Sequence, residues 1–294
     1  MSPSSGPPRI FDVPRRTARL ERSKNTLARA DFLHARAAEN AVGSLEALVR
    51  EWPEATDLSA QPGTFAAALA DSPAAARVGP VKTIRDPIAR AGPGTTPPDL
   101  AEGSQDLIVS LMSLHWANDL PGALHHIRRA LKPDGLFLGT LLGAGTLKEL
   151  RAVLTEAELE ARGGAQARVS PFADGFDGAA LLQRAGFALP VADVDRVTVR
   201  YPDLPALIRD LRAMGETNAL AGVVRPLTRG IIGRAAQLYV ERFGEADGRI
   251  PATFEIVHLA GWAPHESQQK PLKRGSAKMR LADALGVKEQ TGED

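Results

Sequence analysis

Apolar residues recur at helical spacing between residues 26 and 50, where Leu27, Phe32, Leu33, Ala37, Val42, Leu45, Leu48 and Val49 predict one or two amphipathic helices. A short run from Glu54 to Leu58 follows Pro53, then a loop, Ser59 to Gly63, then helical sequence from Thr64 to Leu69. Strand, tight loop and helix in that order are the opening of a nucleotide-binding βαβ unit. Val78 to Ile84 is a candidate second strand, and Asp86 to Ser104, rich in Pro and Gly, predicts no element. Asp106 to Met112 is an apolar run broken after its first residue only by Ser110, as expected of a strand covered on both faces. Asp119 can cap a helix carrying Leu120, Leu124, Ile127 and Leu131 on one face. Lys132-Pro133-Asp134-Gly135 stops that helix, and Leu136 to Leu142 is a further buried strand. Two apolar strands joined by one helix make a right-handed parallel crossover, so the chain is α/β. Helices are then expected over Thr146 to Arg162, Gly178 to Arg184, Leu204 to Met214 and Arg225 to Phe243, with strands over Phe187 to Tyr201 and Thr253 to Trp262.

Composition narrows what such a fold can do. The 294 residues carry a net charge of +1, which supplies no field for nucleic acid or an acidic membrane surface. With no cysteine, a disulfide framework, thiolate metal sites and a cysteine nucleophile are excluded together. No apolar run reaches bilayer-spanning length, so no membrane insertion is expected. Residues 1 to 10 read as a loose tail. The basic stretch Arg15, Arg16, Arg19, Arg22, Lys24 and Arg29 is interrupted by Glu21 and reads as a solvated helix face rather than a transit peptide. The expected location is cytoplasmic, with the mitochondrial matrix as the alternative.

Several strings carry a family resemblance. Ser113 to Pro121, followed by Leu131-Lys132-Pro133-Asp134-Gly135, resembles the fourth strand, next helix and fifth strand of class I methyltransferases. Ser170-Pro171-Phe172, Arg184 to Phe187, Met214 to Asn218, Ile250 to Ile256, Gly261-Trp262, His265 to Gln268 and Arg274 to Ala277 narrow the likeness. Together they resemble the bacterial relatives of the mitochondrial respiratory complex I assembly factor with a methyltransferase fold. The malonyl-carrier-protein methyltransferases are a more distant likeness. The resemblance implies a Rossmann-like seven-strand sheet over residues 11 to 264, with extra helices at the N-terminus and a helical insertion at about 203 to 245, then a tail from 265 to 294. It also implies binding of S-adenosyl-L-methionine, and maturation of a complex I subunit by arginine modification, described for the mitochondrial member as hydroxylation. The leading expectation is therefore a methyltransferase-like protein that modifies or helps to mature a protein partner. A catalytically inactive binding or assembly protein and a small-molecule or acyl-carrier O-methyltransferase are the alternatives.

The cofactor loop departs from the family pattern. Aligning Asp57-Leu58 puts Ser59, Gln61 and Gly63 where the family has three glycines. Those glycines let the backbone turn sharply and lie against the cofactor. The Gln61 side chain would project into that space, and Pro62 stiffens the turn. Asp86 is the local candidate for the ribose-binding acid, and the segment from Gly63 to His115 is short enough that the third strand and its adenine-contacting acid are eroded. Asp57 is a candidate either for the cofactor amino group or for capping the following helix. Ser113, Leu114 and His115 reach the mouth of the crevice after the fourth strand, where His115 is a candidate general base or substrate ligand. Trp116, Glu216, Asn218 and His265 are candidates for the substrate side, against loop and cap hydrogen bonding as the plainer role. His265-Glu266-Ser267-Gln268-Gln269 lacks the second histidine of a zinc-protease motif, so no metal is expected.

Overall fold

The computed structural model describes residues 9–90, 100–172 and 177–269. The expected tails at 1 to 10 and 265 to 294 fall largely outside these residues. The chain divides into Met1–Pro264 and His265–Asp294, and the architecture below is that of the first unit. Its helices are α1 (Val13–Ser23), α2 (Phe32–Glu46), α3 (Thr64–Ala70), α4 (Pro87–Arg90), α5 (Leu120–Ala130), α6 (Lys148–Arg162), α7 (Gly178–Arg184), α8 (Leu204–Met214) and α9 (Arg229–Phe243). Its strands are β1 (Ala55–Asp57), β2 (Val81–Thr83), β3 (Gln105–Ser110), β4 (Leu131–Leu142), β5 (Ala188–Tyr201) and β6 (Ile250–Trp262).

The strands form one sheet in the order β2-β1-β3-β4-β6-β5. The first four run parallel, and β6 is antiparallel to both β4 and β5. This is the class I methyltransferase arrangement with a correction: six strands stand among the described residues, not seven, and β2 is the edge where a third strand would add. The shortened stretch between Gly63 and His115 leaves little chain for that strand.

Burial on both faces explains the continuous apolar runs. In β3, Leu107 and Val109 face the core shared by α2, α3, α6, α8 and α9, whereas Ile108 faces the core under α5 and α7. In β4, Leu136 and Leu138 face the first core, and Phe137 and Leu141 the second. Asp119 caps α5 by accepting from the Gly122 amide at 2.9 Å, as its position predicts. Helix α5 ends at Ala130, ahead of Lys132 to Gly135, and strand pairing already begins at Leu131, opposite Gln105, and resumes at Leu136 opposite Leu107. Asp134, at φ 64, takes up the irregularity between them.

The long β5 changes sides part-way. Ala192 and Val194 pack toward α7, while Val199 and Tyr201 pack toward the other core. Between the two, α8 and α9 form the helical insertion before β6.

Candidate functional site

Strand order reverses between β1 and β3, and in an open parallel sheet ligands bind in the crevice outside the strand ends at that point. The loop after β1 is stitched across this switch. Asp57 Oδ1 accepts from the Ser59 amide at 2.9 Å, and Ser59 Oγ accepts from the Leu111 amide at 2.9 Å. The Ser59 carbonyl accepts from Asp86 N, and Leu111 O from Ala60 N. Burial pushes the Asp57 carboxyl up, partly offset by its bonds to Ser59. Asp57 thus ties its own loop and does not cap α3, whose N-cap is Gly63. Gly63 keeps the left-handed backbone at φ 98 that opens α3, with open space around its α-carbon.

Gln61 lies in the crevice and is itself bonded. Its Nε2 donates to Ser23 Oγ at 2.9 Å and to the Met214 carbonyl at 3.5 Å, while Oε1 accepts from Arg85. Arg85 also donates to the carbonyls of Leu20 and Ala60. Helix α1 therefore spans the loop where a cofactor's amino-acid end would lie. Asp86, at φ 46, is buried with both carboxylate oxygens engaged. Oδ1 accepts from Ser113 Oγ, and Oδ2 faces Arg16 Nε at 3.6 Å.

Arg16 is the residue that the sequence reading placed wrongly. It is 1% exposed rather than on a solvated face. Its guanidinium sits 4.3 Å from the Trp116 ring centroid, and Nη1 donates to the Gly215 carbonyl at 2.7 Å and to Glu216 Oε1 at 3.3 Å. Gly215 ends α8 at φ 80, and an added Cβ would come within 3.0 Å of Ser23 Oγ, so close approach of α1 requires glycine there. The signal was present: Arg16, Leu20 and Ser23 are spaced as one helical stripe, and they are the buried residues of α1.

Glu216 is the hub. It accepts from Arg16, from Trp116 Nε1 at 3.2 and 3.3 Å, and from His115 Nε2 at 2.9 Å. Burial pushes its carboxyl up, but Arg16 and His115 outweigh that and hold it down at about 2. His115 Nδ1 accepts from the Leu142 amide at 3.3 Å, which leaves Nε2 as the donor to Glu216. Both ring nitrogens of the candidate base are thus committed. His34, from α2, belongs to the same buried group, and burial lowers it to about 4. Leu114 is buried against Gly139.

Of the expected residues, Gln61, Asp86, Ser113, His115, Trp116 and Glu216 are joined through Arg16 and Arg85. Asn218 turns elsewhere, donating to the carbonyls of Ala167 and Arg168 and accepting from the Leu220 amide. His265 bonds within its own segment, to Ser267 and Gln268. Two cavities, of about 340 and 170 Å³, have other linings: Arg151, Val169 and Phe172 among them in the larger, Asn40, Thr140 and His258 in the smaller. The residues present do not fit S-adenosyl-L-methionine as folded, because the Gln61 side chain is bonded across the loop after β1 and Asp86 faces the buried Arg16 guanidinium. No group of metal-ligating side chains occurs among the described residues, and no helix there is long and apolar enough to cross a membrane.

Residues 55–139 match the family model described as a methyltransferase domain. An arginine-hydroxylase NDUFAF5, mitochondrial, of Danio rerio is 47% identical over 182 residues, covering 62% of this chain and 57% of the relative. Its Homo sapiens counterpart is 44% identical over 182 residues, covering 62% and 53%. A malonyl-[acyl-carrier protein] O-methyltransferase of Laribacter hongkongensis is 38% identical over 179 residues, covering 60% and 57%. The chain spans little more than half the length of these curated relatives. Residues 55–139 are thus similar to a methyltransferase domain, and a longer stretch of 182 residues is similar to the NDUFAF5 arginine-hydroxylases.

Proposed function

We propose that this chain helps to mature a protein partner, the respiratory complex I subunit that the family resemblance implies, and does so as a methyltransferase-fold binding protein. One observation carries the reading: Arg16 is clamped between Asp86 and Glu216 over Trp116, inside the crevice where the fold ordinarily takes its cofactor. Displacing a buried cation that has two carboxylate partners leaves those carboxylates buried and unpaired unless the ligand sets a positive charge of its own, for S-adenosyl-L-methionine the sulfonium or the ammonium, at that spot.

Calorimetric titration with S-adenosyl-L-methionine tests it. No binding is expected up to millimolar cofactor; a micromolar dissociation constant would overturn the reading and restore the transferase alternative. That alternative draws on Gly63, which retains the left-handed turn the cofactor loop needs. The partner is tested separately by capture of complex I subunits from an extract of the source cells on the full chain, followed by mass spectrometry. Failure to retain any such subunit would remove the partner assignment.

A further inference from the structure

We infer that the smaller cavity, between α2 and the sheet face of β4, β6 and β5, is a binding site for a short amino alcohol, whose hydroxyl meets His258 and whose ammonium meets Asp193. None of the crevice side chains lines this cavity, so the inference stands apart from the reading above.

The row of side chains along β6 marks the place. Ala252, Phe254 and Ile256 turn into the core beneath α2, and Ala260 packs against it; His258 is the polar interruption in that row. It is 8% exposed, and both ring nitrogens are buried without a hydrogen-bond partner. Burial lowers its pKa, with Asp195 and Asp193 opposing in part, so the ring is neutral near pH 7. A neutral imidazole has one N–H donor and one acceptor nitrogen, and here both are idle. A ligand that supplies the missing partner removes the cost of that unsatisfied burial. His34 carries the same deficit but lines neither cavity.

Strand pairing sets Thr140, His258 and Asp193 side by side across β4, β6 and β5. Neighbouring strands lie about 4.8 Å apart, so the step from His258 to Asp193 suits a chain of a few carbons. The inner end of the cavity is neutral. Thr140 Oγ1 accepts from the Met112 amide at 2.9 Å, which leaves the hydroxyl hydrogen to donate. The rim is acidic. Asp193 is exposed and makes no salt bridge among the described residues, whereas Asp195 is held by Arg36. Leu138 and Ala260 supply apolar wall alongside.

These two ends select the ligand. A hydroxyl donates and accepts, so it satisfies His258 in either tautomer and takes the Thr140 hydrogen as well. An ammonium at the rim meets a carboxylate without leaving water altogether, which avoids the penalty of burying the charge. A diamine would push its second charge into a buried, neutral end, and a carboxylate ligand would be repelled by Asp193. At about 170 Å³ the cavity is below the range that takes drug-sized molecules, and it suits a ligand of this size.

The test titrates the full chain with 3-amino-1-propanol, with propylamine, which lacks the hydroxyl, and with 1,3-propanediol, which lacks the charge. Binding is read from the magnetic resonance signals of the His258 ring, assigned by their loss in His258→Leu. The amino alcohol is expected to shift those signals and to bind at least about fivefold more tightly than either control. Asp193→Asn, at an exposed position, is expected to weaken both amines about tenfold and to leave the diol unchanged. His258→Leu is expected to bring the amino alcohol down to the affinity of propylamine. If that variant does not fold, the ligand series and Asp193→Asn decide the matter, with the ring signals assigned through bonds. No ring shift up to about 100 mM amino alcohol, a weak limit for so small a ligand, would overturn the inference. Equal affinity for the three ligands, or an Asp193→Asn effect as large on the diol as on the amines, would do the same.

Discussion

The two halves of the sheet are built by different means. On one side β4, β5 and β6 run for 12 to 14 residues each with near-continuous ladders, and β4 and β6 are largely buried. On the other, β1 and β2 have three residues each, and the space above their ends is held by side-chain hydrogen bonds and buried ions. A long ladder tolerates the loss of one contact, because neighbouring bonds keep the register. A cluster of mutually compensating charges does not, because each member is buried on account of the others.

The largest effect expected from this contrast is at Glu216. Glu216→Ala leaves Arg16 and the Trp116 N–H without their shared acceptor and should lower stability by about 3–5 kcal/mol, read as a shift in the urea midpoint. A loss below about 1 kcal/mol would mean that the charges are solvated rather than interlocked.

Acid should dismantle the crevice before the ladder. His34 is lowered from 6.5 to about 4, so the unfolded chain takes up the proton more readily and stability falls as pH drops through that window. Glu216 is lowered from 4.5 to about 2, and its contribution, complete above pH 4.5, is lost between those values. Urea midpoints at pH 7, 5.5, 4 and 3 should therefore decline in two overlapping stages, and Glu216→Gln should remove the lower one. A profile flat from pH 6.5 to 4 would contradict the burial of neutral His34.

His34 offers a gain of intermediate size. Both its ring nitrogens are buried without a partner. His34→Leu should stabilise the protein by roughly 1–3 kcal/mol at pH 7 and abolish the upper acid stage. The smallest effect belongs to the long half: Val191→Lys, at a 57% exposed position on the sheet edge, should change stability by no more than about 0.5 kcal/mol. A larger change there would show that the ladder is as sensitive as the crevice.

The same contrast governs what the sequence discloses. The β3–α5–β4 crossover, α7 and the final strands are legible because buried apolar runs, the Asp119 cap and the glycine after α7 are local signals. Ser59 and Gln61 are legible as departures from a loop pattern of glycines. Arg16 is legible only as a member of the stripe with Leu20 and Ser23; its partners Asp86 and Glu216, 70 and 200 residues away, are not. Asn218 shows the converse: a polar residue beside a crevice residue in the chain points into a different loop. The strand count missed by one because the family pattern supplied a strand for which the chain between Gly63 and His115 has little length.

The switch of sides along β5 has a further consequence. Among the described residues this strand is the border of the sheet, and such a border is the usual template for runaway aggregation. An ordinary amphipathic intruder shows grease on one face throughout, whereas β5 demands it on one face near Ala192 and on the opposite face near Val199. No such segment can zip along the whole rim without a kink midway, which protects the exposed border from adventitious strands.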